Sequence, residues 1–234
     1  MITVCVAGIT GWVGVPLVRA LGEHDDLELV AGVARVAAGQ VIAGVPVFPS
    51  VEASLQVPYD VLVDYTSALA VAENVRRAVA GDRHVVVGSS GMTDGEYEVI
   101  DALARKHGRG VIAGGNFSLS AALLQRFAAM AARYFPEAEI LDLAHIDKID
   151  APSGTARELS WRLAQVTGAP PPVHSVRLPG YTIGVEVRFG AESERLTLHY
   201  DGGPGAEPYI AGTLLAIRKV AGIRGLVRGF DSLL

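Results

Sequence analysis

Three glycines near the start of the chain have the spacing of a phosphate-binding turn. Gly8, Gly11 and Gly14 lie between a short β-branched run and a stretch with apolar residues at helical spacing. In such a turn the first glycine permits a tight bend, the second lets the backbone approach a pyrophosphate, and the third lets helix and strand pack closely. N–H groups at the helix N-terminus then favour the phosphates. The spacing predicts a dinucleotide site, and its alternative is a purely structural turn.

The end of the second predicted strand bears on the choice of cofactor. A carboxylate there holds the ribose 2′-hydroxyl of NAD, whereas an arginine favours the 2′-phosphate of NADP. Here the strand ends Gly-Val-Ala-Arg, with Arg35 and no carboxylate at that place. The sequence therefore favours NADPH over NADH, unless Arg35 is only a solvated charge at a strand end.

Small polar residues follow two more predicted strands. Asp64-Tyr65-Thr66-Ser67 comes after the third strand and Gly88-Ser89-Ser90-Gly91 after the fourth. Ligands of open parallel sheets bind outside the carboxyl ends of the strands. Glycines and hydroxyls there leave room for a nicotinamide and its ribose and can form hydrogen bonds with them. Together with the glycine turn, these residues indicate one edge of one sheet.

The densest group of titratable residues runs from His145 to Thr155, from a strand end to a helix N-terminus. The backbone N–H groups and two hydroxyls of Ser153–Thr155 are suited to hold a carboxylate. Lys148 can supply a cation or a proton, and His145 can change its charge near neutral pH. A loop that merely leads into a helix is the simpler interpretation, but capping explains only Thr155 and Glu158. The segment therefore predicts a substrate site.

Composition excludes several classes of function. The chain has 234 residues, half of them hydrophobic and 19% charged, which is typical of a folded globular protein. A net charge of −5 argues against a binder of nucleic acid or anionic membranes. The single cysteine, Cys5, cannot form an internal disulfide and fits a buried position in a cytoplasmic protein. No signal peptide or membrane helix is expected, and the scattered histidines predict no metal site.

The elements of the first half must position these residues, and they alternate between buried strands and amphipathic helices. The predicted strands are Ile2–Ala7, Leu27–Val33, Asp60–Val63, His84–Val87 and Gly110–Ala113, and the predicted helices are Val13–Gly22, Ala68–Ala80 and Asp94–His107. Continuous apolar strands separated by helices are typical of a parallel sheet covered on both faces. We therefore expect an α/β, doubly wound domain up to about residue 117.

The second half has a different pattern. Helices are predicted at Ala121–Tyr134, Thr155–Thr167 and Ile210–Ala221, and strands at Ile140–Ile146, Val173–Leu178, Gly184–Phe189 and Leu196–Tyr200. The last three strands alternate with period two, as half-exposed antiparallel strands do. Thr155 and Glu158 have the spacing of a capping box. We expect an α+β unit with an open sheet that pairs with another subunit.

These motifs together resemble the dihydrodipicolinate reductases, now called 4-hydroxy-tetrahydrodipicolinate reductases, of the bacterial lysine pathway. The run Lys148-Ile149-Asp150-Ala151-Pro152-Ser153-Gly154-Thr155-Ala156 matches the family's substrate-site signature. The glycine turn, Asp64-Tyr65-Thr66, Gly88-Ser89-Ser90-Gly91 and Asn116-Phe117-Ser118 follow in the family's order. The resemblance covers almost the whole chain.

The resemblance implies a Rossmann-type domain of residues 1–118 and 208–234 and a substrate-binding and oligomerisation domain with an open mixed sheet, residues 119–207. It implies NADPH or NADH as cofactor, a small dicarboxylate substrate, and a homotetramer or homodimer. The residues expected to bind the cofactor are Gly8, Thr10, Gly11, Trp12, Val13, Gly14, Arg35, Tyr65, Thr66, Gly88, Ser89, Ser90, Asn116 and Phe117. His145, Ser153, Gly154 and Thr155 are expected to bind the substrate, with Lys148 and His145 in catalysis.

The chain also departs from the family pattern. Family members have two adjacent histidines before the lysine, the first of which is assigned as the proton donor, but Ala144 stands in that place. Trp12 replaces an arginine of the glycine turn, and Gly-Ser-Ser-Gly replaces Gly-Thr-Thr-Gly. Lys148 is therefore the remaining candidate for protonation of the substrate. Two other functions stay open: reduction of a different cyclic imine or amino-acid-derived substrate, and a catalytically weakened homologue that binds nucleotide as a sensor or assembly partner.

Overall fold

The structure is a computed structural model and describes residues 1–135 and 137–234. Their strands are β1 (Ile2–Ala7), β2 (Leu27–Val33), β3 (Val41–Ile42), β4 (Val45–Phe48), β5 (Val61–Asp64), β6 (His84–Val87), β7 (Gly110–Ala113), β8 (Glu137–Ala144), β9 (Val173–Arg177), β10 (Ile183–Gly190), β11 (Arg195–Gly202) and β12 (Gly225–Arg228). Their helices are α1 (Gly14–Leu21), α2 (Val51–Ser54), α3 (Val71–Ala80), α4 (Asp94–His107), α5 (Leu119–Ala131), α6 (Gly154–Thr167) and α7 (Glu207–Val220), followed by a 3₁₀ turn at Phe230–Leu233.

The larger sheet contains eight strands in the order β12-β7-β6-β5-β1-β2-β4-β3. All neighbours are parallel except β3 and β4. The chain proceeds outward in opposite directions on the two sides of β1. A crevice for a ligand is therefore expected at the carboxyl ends of β1 and β5.

The strands of this sheet are apolar on both faces because helices cover both faces. In β1, Val4 and Val6 belong to the core that includes residues of α1 and α7. Cys5 and Ala7 belong to the opposite core, with residues of α3 and α4. Burial raises the pKa of the Cys5 thiol to about 12, so this cysteine is a buried apolar side chain, as predicted.

The smaller sheet has the order β11-β10-β8-β9 and is mixed. β10 is antiparallel to both β8 and β11, whereas β9 is parallel to β8. One face packs on α5 and α6 through Val185, Val187 and Phe189. The other face is open to solvent, with Arg188 and Thr197 among its exposed residues.

The predicted combination of a doubly wound parallel sheet and an open mixed sheet is confirmed. The sequence did not predict β3, β4 and β12, which are short, and it expected β9 to be antiparallel. The direction of β9 follows from α6, which carries the chain back across the sheet between β8 and β9, as in other parallel crossovers.

The capping box predicted at Thr155 and Glu158 is wrong. Ser153 is the N-cap of α6, and its hydroxyl oxygen accepts a hydrogen bond from the N–H of Ala156. The described part of the chain has its reciprocal capping box at α4, where Thr93 and Glu96 satisfy each other's backbone donors. Spacing alone does not distinguish the two positions, because tertiary contacts take the side chains of Thr155 and Glu158 elsewhere.

Candidate active site

The glycine turn has the geometry that its spacing predicts. Gly8 has a φ of 85°, a left-handed conformation that L side chains rarely adopt. A Cβ on Gly14 would collide with the carbonyl oxygen of Gly8. Among the described residues, no side chain caps α1, and its first turn contains no acidic residue. The helix N-terminus therefore offers its N–H groups and its positive dipole to a phosphate.

A buried carboxylate organises the neighbouring strand ends. Asp64, the last residue of β5, accepts hydrogen bonds from Ser89 (2.6 Å), Thr66 (2.8 Å) and Asn74 (2.8 Å). Burial raises its pKa although these hydrogen bonds favour the charged form. The loops after β5 and β6 are thereby tied to each other at the carboxyl edge of the sheet.

Two cavities meet at the glycine turn. The outer cavity has a volume of about 540 Å³ and the inner one about 380 Å³. Both are bordered by Gly11, Tyr65, Thr66 and Ser67. Two compartments joined beside an uncapped helix N-terminus fit a dinucleotide, which has two nucleoside halves and a pyrophosphate between them. The residues present therefore fit NAD(P)H.

The predicted cofactor residues divide between these cavities. The outer cavity is bordered by Gly8, Thr10, Gly11, Arg35, Tyr65 and Thr66. The inner cavity is bordered by Gly11, Trp12, Val13, Tyr65, Thr66, Gly88, Ser89, Ser90, Asn116 and Phe117. Gly14 is buried behind the turn. Arg35 is exposed and makes no ion pair with any residue the structure describes.

Lys148 borders the inner cavity, whereas His145 does not border either cavity within the described residues. The Lys148 side chain is 29% exposed, and its ammonium lies 2.7 Å from Asp150 Oδ1. The His145 side chain is 46% exposed, with Nδ1 3.2 Å from Asp147 Oδ2. The structure thus brings Lys148, but not His145, to the predicted cofactor residues.

The three residues predicted to hold a carboxylate differ in their access to the cavity. Gly154 borders the inner cavity, but Ser153 and Thr155 are buried. The N–H of Ser153 donates to Asp142 Oδ2 at 2.8 Å, so it is not free for a ligand. The Thr155 hydroxyl accepts from the amide of Asn116 at 3.2 Å. Of the groups predicted to bind a carboxylate, the backbone N–H groups of Gly154 and Thr155 remain candidates.

Sequence reasoning missed the pair that supports this loop. Asp142 of β8 is fully buried and lies 2.7 Å from Arg177 Nη2 of β9. Arg177 Nη2 also donates to the carbonyl oxygen of Asp150 at 2.7 Å. Asp142 and Arg177 therefore fix both ends of the segment from Asp150 to Ser153. A carboxylate inside the apolar run of β8 was the available signal.

Glu158 connects α6 to the larger sheet instead of capping its own helix. Its carboxylate accepts hydrogen bonds from the N–H of Gly115 and from the amide of Gln125, the latter at 2.8 Å. Burial raises its pKa, and the two hydrogen bonds only partly oppose that effect. Gly115 also borders the inner cavity, so Glu158 holds one of its walls.

Both halves of the chain match the models of one known protein family. Residues 2–117 match the family model for the N-terminus of dihydrodipicolinate reductase, and residues 120–234 match the model for its C-terminus. The chain belongs to the dihydrodipicolinate reductase family. As a member of that family it is an oxidoreductase that uses a nicotinamide nucleotide.

Individual relatives of this reductase agree with the family models. The chain is 39% identical to 4-hydroxy-tetrahydrodipicolinate reductase of Symbiobacterium thermophilum, over 94% of this chain and 92% of the relative. The enzyme of that name from Thermosynechococcus vestitus is 35% identical over 100% of this chain and 97% of its own length.

Solved structures resemble this reductase over its whole length. A dipicolinate-bound dihydrodipicolinate reductase from Paenisporosarcina sp. TG-14 has a TM-score of 0.81 and 29% identity, with 100% of each chain covered. An amine dehydrogenase from Mycobacterium smegmatis has a TM-score of 0.74 at 15% identity, covering 98% of this chain and 95% of that one. The second likeness concerns the fold alone.

The described residues offer neither a cluster of metal ligands nor a membrane-spanning helix. Residues 1–135 and 137–234 of the reductase contain no group of three or more His, Cys, Asp or Glu side chains placed to hold a metal ion. Their helices are also too short or too polar to cross a membrane.

Proposed function

We propose that this chain reduces 4-hydroxy-tetrahydrodipicolinate to tetrahydrodipicolinate with NADPH or NADH, in the biosynthesis of lysine and diaminopimelate. The observation that best supports this function is a shared cavity. Lys148 and Gly154 border the same cavity as three strand-end residues, Gly88, Ser89 and Ser90. A cyclic dicarboxylate placed there meets backbone N–H groups, an ammonium and the predicted nicotinamide position together.

The substrate is oriented first by its carboxylate. The N–H groups of Gly154 and Thr155, at the N-terminus of α6, bind one carboxylate, and the dipole of α6 favours its negative charge. Asp142 and Arg177 keep the loop before α6 in place and act only through that loop. His145 is proposed to help position the ring, which requires a movement of its exposed side chain toward the cavity.

The 4-hydroxyl group of the substrate leaves as water together with a proton from the adjacent carbon, which gives a conjugated, unsaturated imine. A nicotinamide bound at the strand ends would supply a hydride, two electrons and one hydrogen, to that imine. Lys148 delivers the proton to the adjacent carbon, directly or through a water molecule. Its contact with Asp150 keeps the ammonium at the rim of the cavity. A general acid accelerates such a step about 10²- to 10⁴-fold.

Replacement of Lys148 tests this role. Lys148→Ala is expected to lower kcat about 10²- to 10⁴-fold, because it removes the proton donor. Asp147→Ala is the matched control, since Asp147 lies in the same loop and its ionic partner among the described residues is His145. This variant should retain most activity. Initial rates are measured from the loss of reduced-nicotinamide absorbance with saturating substrate and cofactor. Equal losses in the two variants would reject the role of Lys148.

We further propose a preference for NADPH, supported by the free guanidinium of Arg35 at the outer cavity. Arg35→Ala should raise the KM for NADPH about tenfold, as expected for loss of one charge-assisted contact, and leave the KM for NADH unchanged. Arg19→Ala removes another exposed arginine and serves as the control. A wild-type enzyme that prefers NADH would contradict this proposal.

A second candidate substrate is favoured by Ala144, whose methyl group stands where the family has a histidine. A different cyclic imine would then be the natural substrate. The decisive assay offers the wild-type protein 4-hydroxy-tetrahydrodipicolinate with each cofactor in turn. Efficient turnover supports the first proposal; tight cofactor binding without turnover supports another imine or a nucleotide-binding homologue.

The remaining expectations are proposals with structural support. We propose residues 1–118 and 208–234 as the nucleotide-binding domain and residues 119–207 as the substrate domain, since α7 and β12 pack with the larger sheet. The open face of the smaller sheet supports a homodimer or homotetramer. The free buried thiol of Cys5 favours the cytoplasm.

A further inference from the structure

The inner cavity is bordered by a tyrosine that has no role in the mechanism proposed above. Tyr209, in the first turn of α7, borders the cavity and is 8% exposed. Its ring packs edge-on against Trp12, with centroids 5.7 Å apart. Its backbone carbonyl accepts from Thr213 at 2.8 Å, but its hydroxyl has no hydrogen-bond partner among residues 1–135 and 137–234. The hydroxyl is therefore available to a ligand.

Most other polar side chains around this cavity are already engaged. The hydroxyl of Tyr65 pairs with Thr213 at 2.6 Å. Thr66 and Ser89 donate to Asp64, and Asn116 donates to Thr155. Among residues 1–135 and 137–234, the side chains of Ser67 and Ser90 at this cavity have no such partner, and both lie on the strand-end loops where the nicotinamide ribose is expected. Tyr209 borders the same cavity, in ring contact with Trp12 and in the core on which Ile183 packs.

Tyr209 stands near the position where this chain departs from its family. Ala144 pairs with Ile183 across β8 and β10, and Ile183 pairs with Gly202 across β10 and β11. Directly paired residues project their side chains from the same face of a sheet. Ile183 borders the inner cavity and packs on the core that contains Tyr209. A side chain longer than that of Ala144 would thus project toward the wall that Tyr209 forms.

We propose that the hydroxyl of Tyr209 donates a hydrogen bond to the second carboxylate of the dicarboxylate substrate. This inference rests on the proposed function, in which the N-terminus of α6 binds the first carboxylate. In a chain with alanine at position 144, Tyr209 supplies a donor that the methyl group cannot. Burial, followed by the neighbouring Tyr200, raises the pKa of Tyr209, so the phenol stays protonated and able to donate at neutral pH.

Tyr200 provides a matched control within the same region. Its hydroxyl is buried, has no hydrogen-bond partner in the described residues, and does not border the inner cavity. It lies 3.1 Å from the point where a Cβ on Gly202 would stand. Tyr200→Phe and Tyr209→Phe are the same chemical change, and both retain the ring that packs in the core.

The experiment measures binding of pyridine-2,6-dicarboxylate to each variant by calorimetry, with NADPH saturating. Tyr209→Phe should raise the Kd about tenfold to a hundredfold, the usual effect of losing a hydrogen bond to a charged group. The KM for the substrate should rise in parallel, while the KM for NADPH stays at the wild-type value. Tyr200→Phe should leave all three constants unchanged.

Unchanged binding of the dicarboxylate by Tyr209→Phe, with its thermal midpoint preserved, would overturn the inference. Equal weakening of NADPH and dicarboxylate would also overturn it, because it would indicate a general disturbance of the cavity. A wild-type protein that binds the dicarboxylate but reduces no 4-hydroxy-tetrahydrodipicolinate would overturn the proposed function and not the assignment of Tyr209.

Restoring a histidine sharpens the test. Ala144→His places an imidazole on the same sheet face, where it can share the carboxylate. The fold-change in Kd caused by Tyr209→Phe should then be smaller in the Ala144→His background than in the wild type. An equal fold-change in both backgrounds would overturn the link between Tyr209 and position 144.

Discussion

Two arginine–aspartate pairs are largely buried in this reductase, and they fasten different parts of it. Asp142 and Arg177 join β8 to β9 and hold the segment from Asp150 to Ser153. Arg162 and Asp231 join α6 to the 3₁₀ turn near the C-terminus. The first arginine also donates to the carbonyl oxygens of Asp142 and Asp150. The second has Asp231 as its hydrogen-bond partner among the described residues.

The pKa values of the two aspartates shift in opposite directions because their carboxylates have different numbers of hydrogen-bond donors. Burial opposes ionisation of Asp142, but donors from Ser153, Arg177 and Ser175 outweigh it and lower its pKa. Burial dominates at Asp231, and the charge of Arg162 is not sufficient to prevent a raised pKa. The carboxylate of a buried pair therefore stays ionised more readily where several further donors converge on it, as at Asp142, than where the arginine is its main partner, as at Asp231.

Replacing the arginine of each pair should give the largest difference between the two pairs, in both stability and activity. Arg177→Met is expected to cost about 3–5 kcal/mol of unfolding free energy, because it leaves the buried carboxylate of Asp142 without its cation. It should also lower kcat/KM about a hundredfold, because the loop that carries Lys148 and Gly154 is displaced. Arg162→Met should cost less, because the raised pKa of Asp231 makes the loss of its cation less unfavourable than at Asp142, whose pKa is lowered. It should leave kcat/KM near the wild-type value, because neither Arg162 nor Asp231 borders the inner cavity. Urea unfolding and steady-state kinetics measure both.

The comparison fails if Arg162→Met reduces kcat/KM as strongly as Arg177→Met does. A charge-conserving control, Arg177→Lys, should recover part of the activity, since an ammonium replaces the charge but not the second contact, to Asp150.

Removing one serine hydroxyl beside each pair should give a smaller difference in the free energy of unfolding. Ser175 donates to Asp142 Oδ2 at 3.0 Å, whereas Ser232 donates to the carbonyl oxygen of Gly229 at 2.7 Å. Ser175→Ala should cost about 1.5–3 kcal/mol, as for a hydrogen bond to a charged group, and Ser232→Ala about 0.5–1.5 kcal/mol. Thermal unfolding of both variants at neutral pH tests this order, and a larger loss for Ser232→Ala would reverse it.

The smallest difference is expected in the pH dependence of stability, to which Asp142 and Asp231 should contribute with opposite signs. The lowered pKa of Asp142 means that its contribution is present above the ordinary carboxyl value of 3.8 and is lost as the pH falls through the folded-state pKa. The raised pKa of Asp231 means that its contribution is present below 3.8 and is lost as the pH rises through the folded-state pKa.

Aspartate-to-asparagine variants isolate these contributions. The stability difference between wild type and Asp142→Asn should shrink as the pH is lowered, and that between wild type and Asp231→Asn should shrink as it is raised. Unfolding free energies at several pH values from roughly 3 to 7 measure both differences. Slopes of the same sign would refute the electrostatic distinction.

The sequence was sufficient for much of the fold because the long strands carry strong local patterns. The β-branched run of β1 and the apolar runs of β5 to β7 predicted the parallel sheet. By contrast, β12 contains only Leu226 and Val227 as consecutive apolar residues, and it becomes a strand because β7 is beside it. The direction of β9 likewise depends on tertiary connection and not on its residues.

Of the candidate site, the sequence predicts best the turns of the backbone, whose geometry the structure shows. Gly8, Gly11 and Gly154 have a spacing that follows from local geometry. The partners of side chains were harder to predict from the sequence. Arg177 is distant from Asp142 along the chain, and Glu158 accepts a hydrogen bond from Gly115 of the larger sheet's domain. Tyr209 was missed for the same reason: nothing near it in sequence indicates that it borders the cavity.

The placement of β12 at the edge of the larger sheet has a consequence for synthesis of the protein on the ribosome. β7 is made more than a hundred residues earlier than β12, and the whole smaller sheet is translated between them. At about 5–20 residues per second, the nascent chain holds β7 as an uncovered edge strand for several seconds. The larger sheet is therefore finished only after translation has passed residue 228.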